Sequence, residues 1–104
     1  TRSFCYVDDM IAGLFRAMNS RYSYPINLGN PEEITIKNLA QKISLNLNKK
    51  LNLQYLKLPE DDPIQRKPCI EVAIQELKWQ PKISLNNGLE KTIHYFVERF
   101  KNEI

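Results

Sequence analysis

A chain of 104 residues has room for one domain at most, and its 42% hydrophobic and 26% charged residues fit a globular protein rather than a disordered or fibrous one. A net charge of +3 is too small to indicate nucleic acid, and no apolar run approaches the roughly 20 residues of a membrane span. Two cysteines, Cys5 and Cys69, without a Cys-x-x-Cys pair, argue against a structural zinc site or disulfide framework and for a reducing cytoplasm.

Taken in chain order, Asp8 or Asp9 stands where a helix N-cap accepts the free amide protons of the first turn. Met10, Ile11, Leu14, Phe15 and Met18 then fall on one helical stripe, closed by Asn19-Ser20. Tyr24 to Leu28 reads as a short strand stopped by Gly29-Asn30-Pro31, and Glu33 to Thr35 as a second extended piece. Thr35 caps a helix carrying Ile36, Leu39, Ala40, Ile43 and Leu47. Leu51, Leu53 and Tyr55 alternate with polar residues, the pattern of a half-buried strand. The proline-rich, charged "LPEDDPIQRKP" predicts an exposed loop. Ile70, Ala73, Ile74 and Leu77 form a short helix ending before Pro81. Ser84 caps the last helix, with Leu85, Leu89, Ile93, Phe96, Val97 and Phe100 facing inward and Gly88 weakening it by roughly 1 kcal/mol relative to Ala. Four helices with two or three short strands result, an α/β class with α+β character. Some of their apolar faces need a partner domain.

Little catalytic chemistry is present. Gly13, Gly29 and Gly88 are too dispersed for a dinucleotide or phosphate-loop fingerprint, and no Tyr is followed four residues later by Lys. His94 sits in a helical pattern without a Ser or Cys nucleophile motif, so it reads as structural. Glu60, Asp61 and Asp62 match no metal-loop spacing and read as a solvated surface, so no metal is expected. Arg66, in a proline-stiffened loop directly before a helix and beside Lys67, has two readings. Its planar guanidinium grips a phosphate through two parallel hydrogen bonds, or it pairs with Asp61 or Asp62. Arg2, ahead of Phe4 and Tyr6, either rims an anionic pocket or belongs to a frayed terminus.

The stretches "TRSFCYVDDMIAGLFRAMNS", "INLGNPEEITI", "EDDPIQRKP" and "GLEKTIHYF" resemble, in order and over nearly all of the chain, the C-terminal part of the UDP-glucuronate decarboxylase (UDP-xylose synthase) family of extended short-chain dehydrogenases/reductases. "NLGNPEE", then "DDP" and Arg-Lys-Pro, are specific within that family. The opening Arg-aromatic-Val-x-Asp pattern is shared with epimerases and dehydratases. The resemblance implies that residues 1–104 are a C-terminal substrate-binding domain, with the Rossmann core, the NAD fingerprint and the catalytic Tyr-Lys pair in a missing N-terminal part. It implies an NAD-dependent conversion of UDP-glucuronate to UDP-xylose and carbon dioxide through a 4-keto intermediate. The complete enzyme is expected to be a homodimer, and this chain alone is expected to be inactive. A related epimerase or 4,6-dehydratase, or a non-catalytic remnant or binding module, are the other readings.

The family's site residues carry over to Arg66, on the diphosphate or sugar side, and to Arg2, near the same anionic group. Tyr6 lines the pocket or packs behind it, and Asp8 is a helix cap. One departure is expected to matter. The family usually reads Arg-x-x-Asp where this chain has Arg66-Lys67-Pro68-Cys69. A thiol is a poor acceptor, and one lost charge-assisted hydrogen bond is worth about 1.5–3 kcal/mol, so weaker UDP-sugar affinity is expected.

Overall fold

The computed structural model describes residues 1–57, 59, 60 and 62–101. In chain order these form β1 (Arg2–Ser3), α1 (Val7–Met18), β2 (Glu33–Ile34), α2 (Ile36–Leu47), α3 (Glu71–Leu77) and α4 (Leu85–Arg99). The two strands pair antiparallel, with Arg2 opposite Ile34 and Ser3 opposite Glu33. Arg2 is therefore laddered, not frayed. The expected strands at 24–28 and 51–55 do not form. Pro25 lacks a donor for a ladder, and Ile26 and Leu28 instead pack on the core. Leu53 and Tyr55 alternate correctly but stay exposed, with no neighbouring strand among the described residues to pair with.

Helix starts follow local chemistry in two of the three long helices. The Thr35 hydroxyl accepts from the Asn38 amide at 3.1 Å, and the Ser84 hydroxyl from the Asn87 amide at 3.2 Å. α1 differs: its N-cap is Tyr6, with no side-chain cap, and Asp8 and Asp9 lie inside the first turn. There their charge favours the positive end of the helix dipole. Asp9 is buried and turns to a different segment. Its Oδ2 accepts from the backbone amides of Lys82 (3.0 Å) and Ile83 (2.8 Å), while its carbonyl accepts from Trp79 Nε1 at 3.0 Å. The aspartates are thus corrected from caps to first-turn residues, and Asp9 clamps the loop that leads into α4.

The core is small. Ile70, Ala73, Leu77 and Trp79 are buried together, with Cys5, Ala17, Ile26 and Leu28 packed around them. α1 rests on α3 through its small-residue side, where Gly13 approaches Leu28 and Trp79. Arg16 reinforces this contact by donating to the carbonyls of Leu77 and Lys78, both at 2.9 Å. A cation there complements the negative end of α3. α2 lies against α4, where Lys42 Nζ donates to Asn86 Oδ1 at 2.8 Å. The radius of gyration is 16.4 Å, against about 13 Å for a compact domain of this length. The accessible surface is 8595 Å², against roughly 6,000 Å² for a monomer of 12.2 kDa. Among the described residues, no helix is long and apolar enough to cross a membrane.

Candidate functional site

One cleft of about 760 Å³ is lined by β1 and its continuation, by Met10 of α1, by residues 26–30 and by residues 66–69. Three sequence-predicted residues meet there: Arg2, Arg66 and Cys69. Tyr6 stands apart, in a neighbouring groove shared with Leu39, Ile43 and Gly88. Its ring covers Gly88, where an added Cβ would sit 3.2 Å from Tyr6 Cβ, and Lys91 Nζ lies 5.9 Å from the ring centroid. Tyr6 therefore packs β1's continuation onto α4.

The loop carrying Arg66 is held at four points. Arg2 Nη2 meets Asp62 Oδ1 at 2.8 Å, and the Thr1 nitrogen donates to the Ile64 carbonyl at 2.6 Å. Gln65 Nε2 donates to Glu33 Oε2 at 2.7 Å, and the Ser3 hydroxyl to the Arg66 carbonyl at 3.4 Å. The Glu33 carboxylate also accepts from the Thr1 hydroxyl at 2.9 Å. Hydrogen bonds from Thr1 and then Gln65 hold its carboxyl below the usual carboxylate range. The two short strands thus form the frame on which the loop is mounted.

This frame distinguishes the two arginines. Asp62 is engaged by Arg2, which also donates from Nη1 to the Thr1 carbonyl at 2.8 Å. Arg66 and Lys67 are exposed at the cleft, and among the described residues Arg66 forms no ion pair. Asp61, the other suggested partner and the middle of the acidic run, lies outside the described residues. The cleft thus presents a guanidinium and an ammonium to solvent, a combination suited to an anion such as a phosphate.

Sequence reasoning missed several lining groups. Asn27 donates from Nδ2 to the Cys69 carbonyl at 3.3 Å and joins the two walls. Gly29 packs so closely on Pro68 that an added Cβ would lie 2.9 Å from Pro68 Cγ. Both sit within the "INLGN" stretch, whose resemblance was the available signal. Cys5 also lines the cleft; burial, then the nearby Asp9 carboxylate, push its thiol pKa up. Cys69 is exposed.

The three glycines present do not form a dinucleotide fingerprint. Gly13 and Gly88 lie inside helices under Trp79 and Tyr6, and Gly29 lies in the loop against Pro68. None forms the strand-to-helix turn that receives a pyrophosphate. Among the described residues no cluster of His, Cys, Asp or Glu is arranged to hold a metal ion.

Comparison with known proteins converges on one group. No family model matches the chain. UDP-glucuronic acid decarboxylase 1 of Danio rerio is 44% identical over 103 residues, 99% of this chain and 25% of that protein. The Xenopus tropicalis enzyme is 42% identical over the same length, covering 24% of that protein. UDP-glucuronic acid decarboxylase 3 of Arabidopsis thaliana is 45% identical over 89 residues, 86% of this chain and 26% of its own length. In structure, UDP-glucuronic acid 4-epimerase from Bacillus cereus in complex with NAD aligns over 98% of this chain and 32% of its own, with a TM-score of 0.81 and 26% identity. A variant of that epimerase bound to UDP-4-deoxy-4-fluoro-glucuronic acid and NAD gives a TM-score of 0.83 and 27% identity over 93% of this chain. The chain thus spans about a quarter of the length of these curated relatives. Sequence and fold agree: this chain resembles the C-terminal part of the UDP-glucuronic acid decarboxylases, in the extended short-chain dehydrogenase/reductase family.

Proposed function

We propose that this chain is the UDP-sugar-binding portion of a UDP-glucuronate decarboxylase, which converts UDP-glucuronate to UDP-xylose and carbon dioxide. The observation that carries the reading is the exposed Arg66–Lys67 pair at a cleft also lined by Arg2 and Cys69, in a chain 44% identical to a UDP-glucuronic acid decarboxylase. In this reading Arg66 grips the diphosphate, and Lys67 adds positive potential. Arg2 acts mainly by fixing the loop through Asp62, and Tyr6 packs behind the site. NAD supplies the redox chemistry of the complete enzyme, a homodimer in this reading, and belongs to the portion of the enzyme outside this chain. The present residues contribute binding energy from the remote nucleotide, which orients the sugar.

Calorimetry with UDP tests this. The chain is expected to give saturable heat that weakens with salt, and Arg66→Ala to weaken binding by roughly 10- to 100-fold. Cys69→Asp is expected to tighten it by supplying a charged acceptor to the nucleotide. Absence of any UDP heat would sink the reading. The 104-residue protein alone is expected to release no carbon dioxide from UDP-glucuronate.

A further inference from the structure

The chain's two cysteines, Cys5 and Cys69, are far apart in sequence yet line the same cleft. The segments that carry them run side by side in the same direction. The Thr1 nitrogen donates to the Ile64 carbonyl and the Ser3 hydroxyl to the Arg66 carbonyl, so both contacts join residues 63 positions apart. Continued by two residues, that offset brings Cys5 level with Pro68 and next to Cys69. β1 and Tyr6 are both extended, and residues two apart in an extended chain share a side. The Cys5 side chain therefore projects as that of Ser3 does, toward residues 66–69. Cys5 also packs on the buried cluster that opens with Ile70, the residue after Cys69, and Asn27 pins the Cys69 carbonyl at 3.3 Å.

Exposure divides the roles of the two thiols. Cys69 is exposed, whereas Cys5 is half-buried, its Sγ 3.6 Å from the Tyr6 carbonyl oxygen. Burial, then the Asp9 carboxylate, hold the Cys5 thiol protonated, so an oxidant from solvent meets Cys69 first. We propose that Cys5 and Cys69 are a reversible disulfide site, closed across the cleft by a peroxide. In the first step the Cys69 thiolate attacks one peroxide oxygen, the O–O bond breaks, water leaves and Cys69 becomes a sulfenic acid. In the second the Cys5 sulfur attacks the Cys69 sulfur, the S–O bond breaks, and the Cys5 proton leaves with the hydroxide as a second water. The two thiols together lose two electrons, and the peroxide is reduced to water. A dithiol reverses the bond by exchange. A bridge formed only under oxidation differs from a structural framework and needs no oxidising compartment. Closure ties one wall of the cleft to the other and narrows it beside Arg66 against the nucleotide. That consequence rests on the UDP-sugar reading, whereas the disulfide itself does not.

The test treats the 104-residue chain with a slight excess of hydrogen peroxide, blocks the remaining thiols and digests with trypsin before mass spectrometry. Peptides 3–16 and 67–78 are expected as one disulfide-linked pair within a monomer, separated again by dithiothreitol. In guanidinium chloride the pair is expected to form roughly tenfold more slowly, because the unfolded chain must close a long loop to make it. Cys5→Ser is expected to give no such pair and to stop at the sulfenic or sulfinic acid of Cys69. Unlinked peptides with Cys69 driven to sulfinic acid overturn the proposal, since Cys69 is then a solitary thiol. Linkage found only between two chains overturns it as well, and so does linkage at the same rate in denaturant. Calorimetry then compares the reduced and oxidised chains. Affinity for UDP is expected to fall by roughly tenfold on closure and to return with dithiothreitol. Equal affinity of the two forms overturns the narrowing of the cleft. A linked pair in a chain whose reduced form gives no UDP heat upholds the disulfide site and rejects only the substrate reading.

Discussion

α1 and α4 are both amphipathic helices with one buried glycine, yet they use their apolar sides in opposite ways. In α4, Gly88 lies beside Leu85 and Leu89, and all three turn toward Tyr6, Ile83 and α2. In α1, Gly13 touches Leu28 and Trp79, while the apolar stripe points away from them into solvent. Each glycine permits a close approach, since an added Cβ would come within 3.1 to 3.2 Å of a neighbouring side chain. Periodicity therefore identifies a stripe but not its cover. α4 finds cover within this chain over its first half, at Leu85, Gly88 and Leu89, whereas Phe96 and Val97, expected to face inward, are exposed because no described element reaches that end of the helix. α1 is held by its polar and small side and leaves its apolar side free.

The comparison breaks most severely at Trp79, the buried ring under α1. Trp79→Ala is expected to cost about 4 kcal/mol by emptying the small core, read as loss of cooperative urea unfolding and near-ultraviolet dichroism. Asp9→Ala comes next. It leaves the partly buried amides of Lys82 and Ile83 without their acceptor, at about 2 kcal/mol. A denaturation midpoint unchanged from wild type would show that Asp9 is no clamp. Ser84→Ala, which removes the α4 cap, is expected to cost about 1 kcal/mol. Its thermal melt reads that loss.

The smallest effects are those of pH. The folded pKa of Cys5 lies above its unfolded value, so between the two the native state holds the extra proton. Its contribution is intact below the ordinary thiol range and is lost as pH rises through the folded value. Cys5→Ala is expected to flatten this alkaline decline, and a thiol reagent is expected to modify exposed Cys69 before Cys5. Glu33 behaves oppositely. Its depressed pKa gives a contribution present above the unfolded carboxylate value and lost as pH falls through the folded one. Glu33→Gln is expected to flatten the acid limb of the stability profile.

Local sequence was enough for the four helices, the caps at Thr35 and Ser84 and the short pairing segment at Glu33, while Arg2, Arg66 and Cys69, named from a resemblance, line one cleft. Caps and helical stripes are local: a hydroxyl satisfies an amide three residues on, and a stripe needs only a period of 3.6 residues. The fold assigned Asp9 to residues 82 and 83, gave Arg2 to Asp62 so that Arg66 faces the cleft, and set Asn27 between the cleft walls. It also decided which apolar stripes are covered. These contacts join groups 42 to 74 residues apart, and side chains with several possible partners are assigned only when the fold brings one of them within reach.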